Sequence, residues 1–233
     1  MTHKLTDCKM SESEMGGAIE HWLGFQDKIG RAFMMNEDAL KYPLSDYLVN
    51  GGGLHINTIE LEYPHPNFPN RLVDAVITDN QDIGRKDSEN LVNAYELKLA
   101  KTETRYDPEK KRIFNDLIRM NMANQHSTGK CYFIITGKSI HFERDFRNHK
   151  VNGTDFYRKW FKFVKGDEAT FQVNTETDNT YKDIYDSFIE KYKERFQGSG
   201  SLTLPKEITT TCEFITAFKS QLVPYITGIW SVK

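Results

Sequence analysis

Cysteine is scarce in this chain: Cys8, Cys131 and Cys212 are the three in 233 residues, far apart and without a CxxC pair. That excludes a disulfide framework and the usual thiolate zinc sites, and it suits a reducing compartment. Seven histidines are scattered without HxxxH or HExxH spacing, which argues against a zinc hydrolase. His141 and Glu143 are spaced to share one face of a strand and read as a surface pair. A GxxxxGK[ST] phosphate loop is missing, and no convincing helix start follows Gly51-Gly52-Gly53. No GxSxG elbow occurs, and Cys131 lies in an apolar run that raises a thiol pKa instead of activating it.

Long apolar runs are also missing. The best late segment, Phe214 to Trp230, is interrupted by Lys219, Gln221 and Pro224 and cannot span a bilayer. The N-terminal MTHKLTDCKMSESE has no apolar stretch of the kind a signal peptide needs. A soluble, cytoplasmic protein with no membrane partner is expected. The net charge of −2 excludes a uniformly basic nucleic-acid coat but leaves room for a local basic face.

What is present is a succession of helix and strand patterns, at a length that suits one domain with an appendage. Ser11 and Glu14 form a capping box, and Met15, Ile19, Trp22, Ile29 and Phe33 follow at helical spacing, predicting a helix over 12–34. Glu20 sits beside that stripe with Gly16, Gly17 and Gly24 around it, a costly arrangement for a helix unless something passes close to the backbone. Residues 36–50 read as a short helix or turn around Pro43, and Gly51-Gly52-Gly53 breaks it. A strand is predicted over 54–63, a proline-marked loop follows, and the next strand runs from Arg71 to Thr78.

The most informative stretch is Arg71 to Lys101. Asp74 stands alone among Leu72, Val73, Ala75, Val76 and Ile77, where a carboxylate is costly to desolvate unless a cation compensates it. Residues 79–90 are polar and read as a long hairpin loop. Beyond them Tyr95, Leu97 and Leu99 alternate with Glu96 and Lys98, the period of a strand with two unlike faces. Leu91, Val92, Tyr95 and Leu99 also fit one face of a helix, on which Glu96 and Lys98 would point apart. The strand is the reading adopted. Asp107-Pro108 then opens a helix to about Gln125, Gly129 ends it, and Cys131 to Thr136 is an almost wholly apolar strand of the kind buried on both faces.

Asp74 followed by Glu96-Leu97-Lys98 resembles the split signature of the PD-(D/E)xK nucleases, the restriction-endonuclease-like superfamily. The order strand, strand with ExK, helix, buried strand is also similar to that family's core. Val73 stands where the family often has Pro. The resemblance covers residues 10–137 and implies an α/β fold: a mixed central sheet flanked by helices, with a C-terminal α+β extension. It implies Asp74 and Glu96 as side-chain ligands of Mg²⁺ (Mn²⁺ substituting), Leu97 as a ligand through its carbonyl, and Lys98 as the catalytic cation. Glu20 corresponds to an accessory acid on the first helix, with a solvated helix acid as the alternative. Lys111, Asn115 and Arg119, recurring every four residues, and Lys101 are the expected phosphate contacts, or else an ordinary solvated face. The implied activity is Mg²⁺-dependent hydrolysis of phosphodiester bonds in DNA, by an endonuclease of restriction or defence type. An inactive nuclease-fold module that binds nucleic acid or protein is the alternative. A homodimer would suit cutting of both strands.

The last third carries less. Phe156, Tyr157, Trp160, Phe161 and Phe163 interleave with Arg158, Lys159, Lys162 and Lys165, which fits either base stacking with phosphate contact or a core segment with a basic outside. Residues 181–197 are an amphipathic helix closed by Gly198, and QGSGSLT is a connector. The expected division is a nuclease-like domain, 1–197, with a β-rich extension, 198–233, packed on it.

Overall fold

The computed structural model describes residues 10–68, 70–79, 91–100, 106–151, 154–173, 182–196, 202–216 and 224–233. Its centre is a seven-stranded mixed sheet in the order β1-β2-β3-β4-β9-β8-β7. The strands are β1 (Ile59–Pro64), β2 (Leu72–Thr78), β3 (Leu91–Ala100), β4 (Cys131–Lys138), β7 (Glu168–Gln172), β8 (Glu207–Ile215) and β9 (Tyr225–Val232). Only β3 and β4 run parallel, and α3 (Tyr106–Asn124) makes the crossover between them that a parallel pair requires. The other neighbours are antiparallel. A separate two-stranded ribbon pairs β5 (Lys150–Val151) with β6 (Thr154–Asp155).

Each face of the sheet is covered. On one side α1 (Glu12–Lys28) and α2 (Lys41–Asn50) bury Met15, Ile19, Leu23, Leu44 and Leu48 against Ala75, Tyr95, Leu97, Ile134 and Ile229. On the other, α3 and the aromatic block of residues 156–163 pack Phe114, Leu117, Trp160 and Phe161 against Val76, Ala94, Phe133 and Trp230. α5 (Lys182–Lys191) adds Ile184 and Phe188 to that second layer. β4 therefore has no solvated face, as its unbroken apolar run requires.

Several boundaries differ from the pattern reading. Ser11 does cap α1, accepting the Glu14 N–H at 3.4 Å, but the helix stops at Lys28, well short of residue 34. Gly30 takes φ +75°, a turn conformation natural to glycine, and Phe33 beyond it is left 84 % exposed. β1 starts only at Ile59, after a 3₁₀ turn over Ile56–Thr58, and runs to Pro64, so the first half of the strand expected over 54–63 does not form. His141 and Glu143 lie not on a strand but on α4 (Ser139–His141) and the π-helical turn Phe142–Arg147 that continues it. The 198–233 stretch does more than pack on a domain: β8 and β9 are strands of the same sheet, and β9 pairs along the whole of β4. The long hairpin loop lies almost wholly in residues 80–90, outside the described residues.

Candidate active site

The alternative helix for Glu96 is ruled out: residues 91–100 are a strand, so Glu96 and Lys98 share a face. The last pair of the β2–β3 ladder in this direction is Ala75 with Tyr95. Past it, the Leu97 N–H is taken not by a carbonyl of β2 but by Asp74 Oδ2, at 2.8 Å. In an extended strand a residue's N–H and C=O point the same way. The Leu97 carbonyl thus faces the side on which Asp74 stands.

α3 closes over Glu96 and Lys98 with two charged residues of its own. Lys98 Nζ lies 2.8 Å from Glu96 Oε1 and 2.9 Å from Asp116 Oδ2, with Glu37 Oε2 at 3.9 Å. Arg119 pairs with Asp116, approaches Glu96 Oε1 at 3.6 Å, and donates to the Leu72 carbonyl at 3.4 Å. From α2, Lys41 reaches Asp74 Oδ1 at 3.7 Å, Glu62 Oε1 at 3.1 Å and Asp38 Oδ1 at 3.0 Å. His65 pins this corner together: its Nδ1 accepts from Asn67 N–H, so its Nε2 carries the proton donated to the Arg119 carbonyl at 2.9 Å. Burial holds that imidazole neutral, its pKa pushed down to about 4.

The buried acids diverge in protonation. Burial pushes the Glu96 carboxyl up to about 8, Lys98 working against the rise, with Asp116 and Asp74 adding to it. Burial would raise Asp116 as well, but Lys98 and Arg119 outweigh it and hold that carboxyl below its usual range. The difference is geometric, since Asp116 is bonded by both cations while Glu96 touches one closely and the other at a distance. Asp74 is also raised by burial, against Lys98, the Leu97 N–H and Lys41. Burial alone would lower Lys98, yet Asp116, Glu96 and Glu37 keep it well above an ordinary lysine, so it stays an ammonium.

The chemistry of these donors, oxygen throughout, is that of a hard cation's ligands. The half-buried Asp74 and the buried Glu96, beside a carbonyl on the same side as Asp74, are oxygen donors of the kind Mg²⁺ takes, since it usually needs only one or two protein carboxylates. Among the described residues no group of three or more His, Cys, Asp or Glu is placed to hold an ion.

Other expected residues lie elsewhere. Glu20 belongs to the α1 face of the sheet, where its Oε1 accepts the Thr227 N–H at 2.9 Å and the Thr216 hydroxyl. β9 is two strands from β3, so Glu20 is no neighbour of Asp74 or Glu96. Of the glycines around it, Gly16 has a reason: a Cβ there would strike the Phe214 ring, whereas Gly17 and Gly24 face open space. Lys111 is exposed, Asn115 is half-buried, and Arg119 is turned inward to the ion pairs rather than outward to a ligand. Lys101 lies outside the described residues.

Asp116 and Lys41 are the residues the pattern reading missed. Asp116 interrupts Ile113, Phe114, Leu117 and Ile118, and Lys41 sits between Leu40 and Leu44. A lone charge inside an apolar face was the very signal that singled out Asp74. A groove of about 730 Å³ between α1 and α2, lined by Ala18, Trp22, Phe25, Tyr42, Pro43 and Ile56 among others, contains none of these charged residues. Compared with family models, characterised proteins and solved structures, the chain matches none.

Proposed function

We propose that this protein is a metal-dependent nuclease on a restriction-endonuclease-like core, hydrolysing phosphodiester bonds in DNA. The observation that carries the reading is the junction of β2 and β3: Asp74 holds the Leu97 N–H, with Glu96 and Lys98 on the neighbouring strand positions. Asp74, Glu96 and the Leu97 carbonyl would hold Mg²⁺. When bound, that ion polarises a phosphoryl oxygen and acidifies a coordinated water. Lys98, kept protonated by its acidic neighbours, acts as a fixed positive charge that steadies the phosphate and orients the attacking water; it is no general base. Asp116 keeps Lys98 in place when Glu96 is otherwise engaged, because Lys98 bonds both carboxylates. Arg119, bonded to Asp116, fixes the same constellation from α3.

A second reading has its own support. Lys98 and Arg119 already neutralise much of the acidic charge internally, as expected of a nuclease-fold module that binds without turnover. Incubating the protein with plasmid, linear and single-stranded DNA in Mg²⁺, Mn²⁺ or EDTA separates the two. Cleavage that needs metal and vanishes in Glu96→Ala supports the nuclease. Intact substrate in every metal condition, or full activity in Glu96→Ala, rejects it.

A further inference from the structure

Residues 142–165 carry seven Lys and Arg against three Asp and Glu, in a chain whose net charge is −2. Their aromatics face inward: Phe156, Tyr157, Trp160, Phe161 and Phe163 are all buried. Phe163 gathers two cations from different segments, with the Arg147 guanidinium 5.5 Å and the Arg158 guanidinium 5.9 Å from its ring centre. Arg158 also donates to Asn148 Oδ1 at 3.4 Å. These contacts lock the π-helical turn to the aromatic block, so their cations share one surface. Lys162 and Lys165, which flank Phe163 in the chain, are exposed. The Lys162 backbone is held by the Trp230 indole N–H, which donates to its carbonyl at 2.7 Å. Arg147 is also paired with Glu143 at 3.0 Å, which makes the two lysines the better probes.

The inner side of the aromatic block packs on α3, the helix that carries Asp116 and Arg119. Lys110 on α3 places its Nζ 4.7 Å from the Phe156 ring centre. Phe114 of the same helix packs on Trp160 of the block, ring centres 5.6 Å apart.

We propose that Arg147, Arg158, Lys162 and Lys165 form a surface that binds the sugar–phosphate backbone of nucleic acid and leads it to Glu96 and Lys98. The inference rests on the nuclease reading of that site. Because the rings are buried, no base stacks here; the contact is to phosphates and carries no base preference. It also moves the phosphate contacts away from the outer face of α3.

The test is fluorescence anisotropy with labelled duplexes in EDTA, where no cleavage interferes. Wild type is compared with Lys162→Glu/Lys165→Glu, with Lys162→Gln/Lys165→Gln, and with Lys28→Glu/Lys206→Glu, a like charge change at exposed positions elsewhere. Thermal melting verifies that each variant is folded. The Lys162/Lys165 glutamate pair should bind at least about tenfold more weakly at about 50 mM salt. The glutamine pair should lower the slope of log K against log salt by roughly 2, one unit per lost phosphate contact. The control pair should stay within about twofold of wild type, as should wild-type affinities for duplexes of different sequence. Equal affinity and slope in wild type and the Lys162/Lys165 variants overturns the proposal. So does an equal loss in the control pair, or wild-type binding to phosphatidylserine vesicles but to no duplex. Binding lost in the glutamate pair, with wild type unable to cleave, keeps the surface and rejects the nuclease. Full cleavage by that pair does the reverse.

Discussion

Glu20 and Glu96 are both glutamates drawn out of water, and both carboxyls are pushed up by burial. They differ in the company they keep. Glu20 is met by neutral donors, the Thr227 N–H and the Thr216 hydroxyl, which satisfy it as one joint between α1 and the β8–β9 pair. Glu96 is met by an ammonium and a guanidinium that it shares with another buried acid, Asp116. A buried carboxylate by itself therefore says little about chemistry. One whose cations are shared with a rival acid can exchange partners, and exchange is what a ligand needs.

The sharpest way to test that contrast is to truncate both. Glu96→Ala should lower metal-dependent cleavage by roughly 10³-fold or more with the fold kept. Glu20→Ala should leave the cleavage rate within a few-fold but cost about 1 kcal/mol in urea unfolding. The Thr227 N–H and the Thr216 hydroxyl lose a carboxylate acceptor and keep each other's residue as partner. Equal rate losses in the two variants would erase the distinction.

Proton release comes next. Glu96 must lose its proton to accept an ion, so Mg²⁺ affinity should rise about tenfold per pH unit up to about 8 and then level off. Calorimetry in buffers of different ionisation enthalpy reads the released proton directly. Asp116→Asn removes a negative neighbour that raises Glu96, and should move that levelling-off to lower pH. Glu20→Gln should move nothing. A pH-independent affinity for the wild type would mean that Glu96 is not the ligand.

The smallest effect extends the comparison to a buried base. His65 is held neutral at about 4 when folded against an ordinary 6.5, so the unfolded chain takes up the proton first. Stability should therefore fall as pH drops from about 6.5 to about 4, by on the order of 2 kcal/mol, and then flatten with respect to this group. His65→Gln should remove that part of the slope in denaturant midpoints measured across the window.

Much of the frame was legible in the chain itself. The period-2 alternation around Leu97 and the unbroken apolar run of β4 are read directly from spacing, because side chains must alternate on a pleated strand and a strand buried twice has no polar side. Boundaries were less legible. Ile29 and Phe33 continue the helical period of α1, but Gly30 turns the backbone aside and leaves them uncovered. The glycines around Glu20 did signal a close approach, but what approaches Gly16 is Phe214, a residue almost two hundred positions away.

Local pattern alone determined that Asp74, Glu96 and Lys98 are charges set in apolar stretches, since apolar context is a property of neighbouring residues. The strand around Glu96 competed with a helix until the sheet paired it. Only the tertiary structure decided what those charges meet. Asp116 and Arg119 reach Glu96 because the crossover helix packs over β3, and Lys41 reaches Asp74 because α2 covers the other face. Ionisation in a low-dielectric interior depends on distances of a few ångströms between groups remote in sequence, and those distances exist only once the layers have closed.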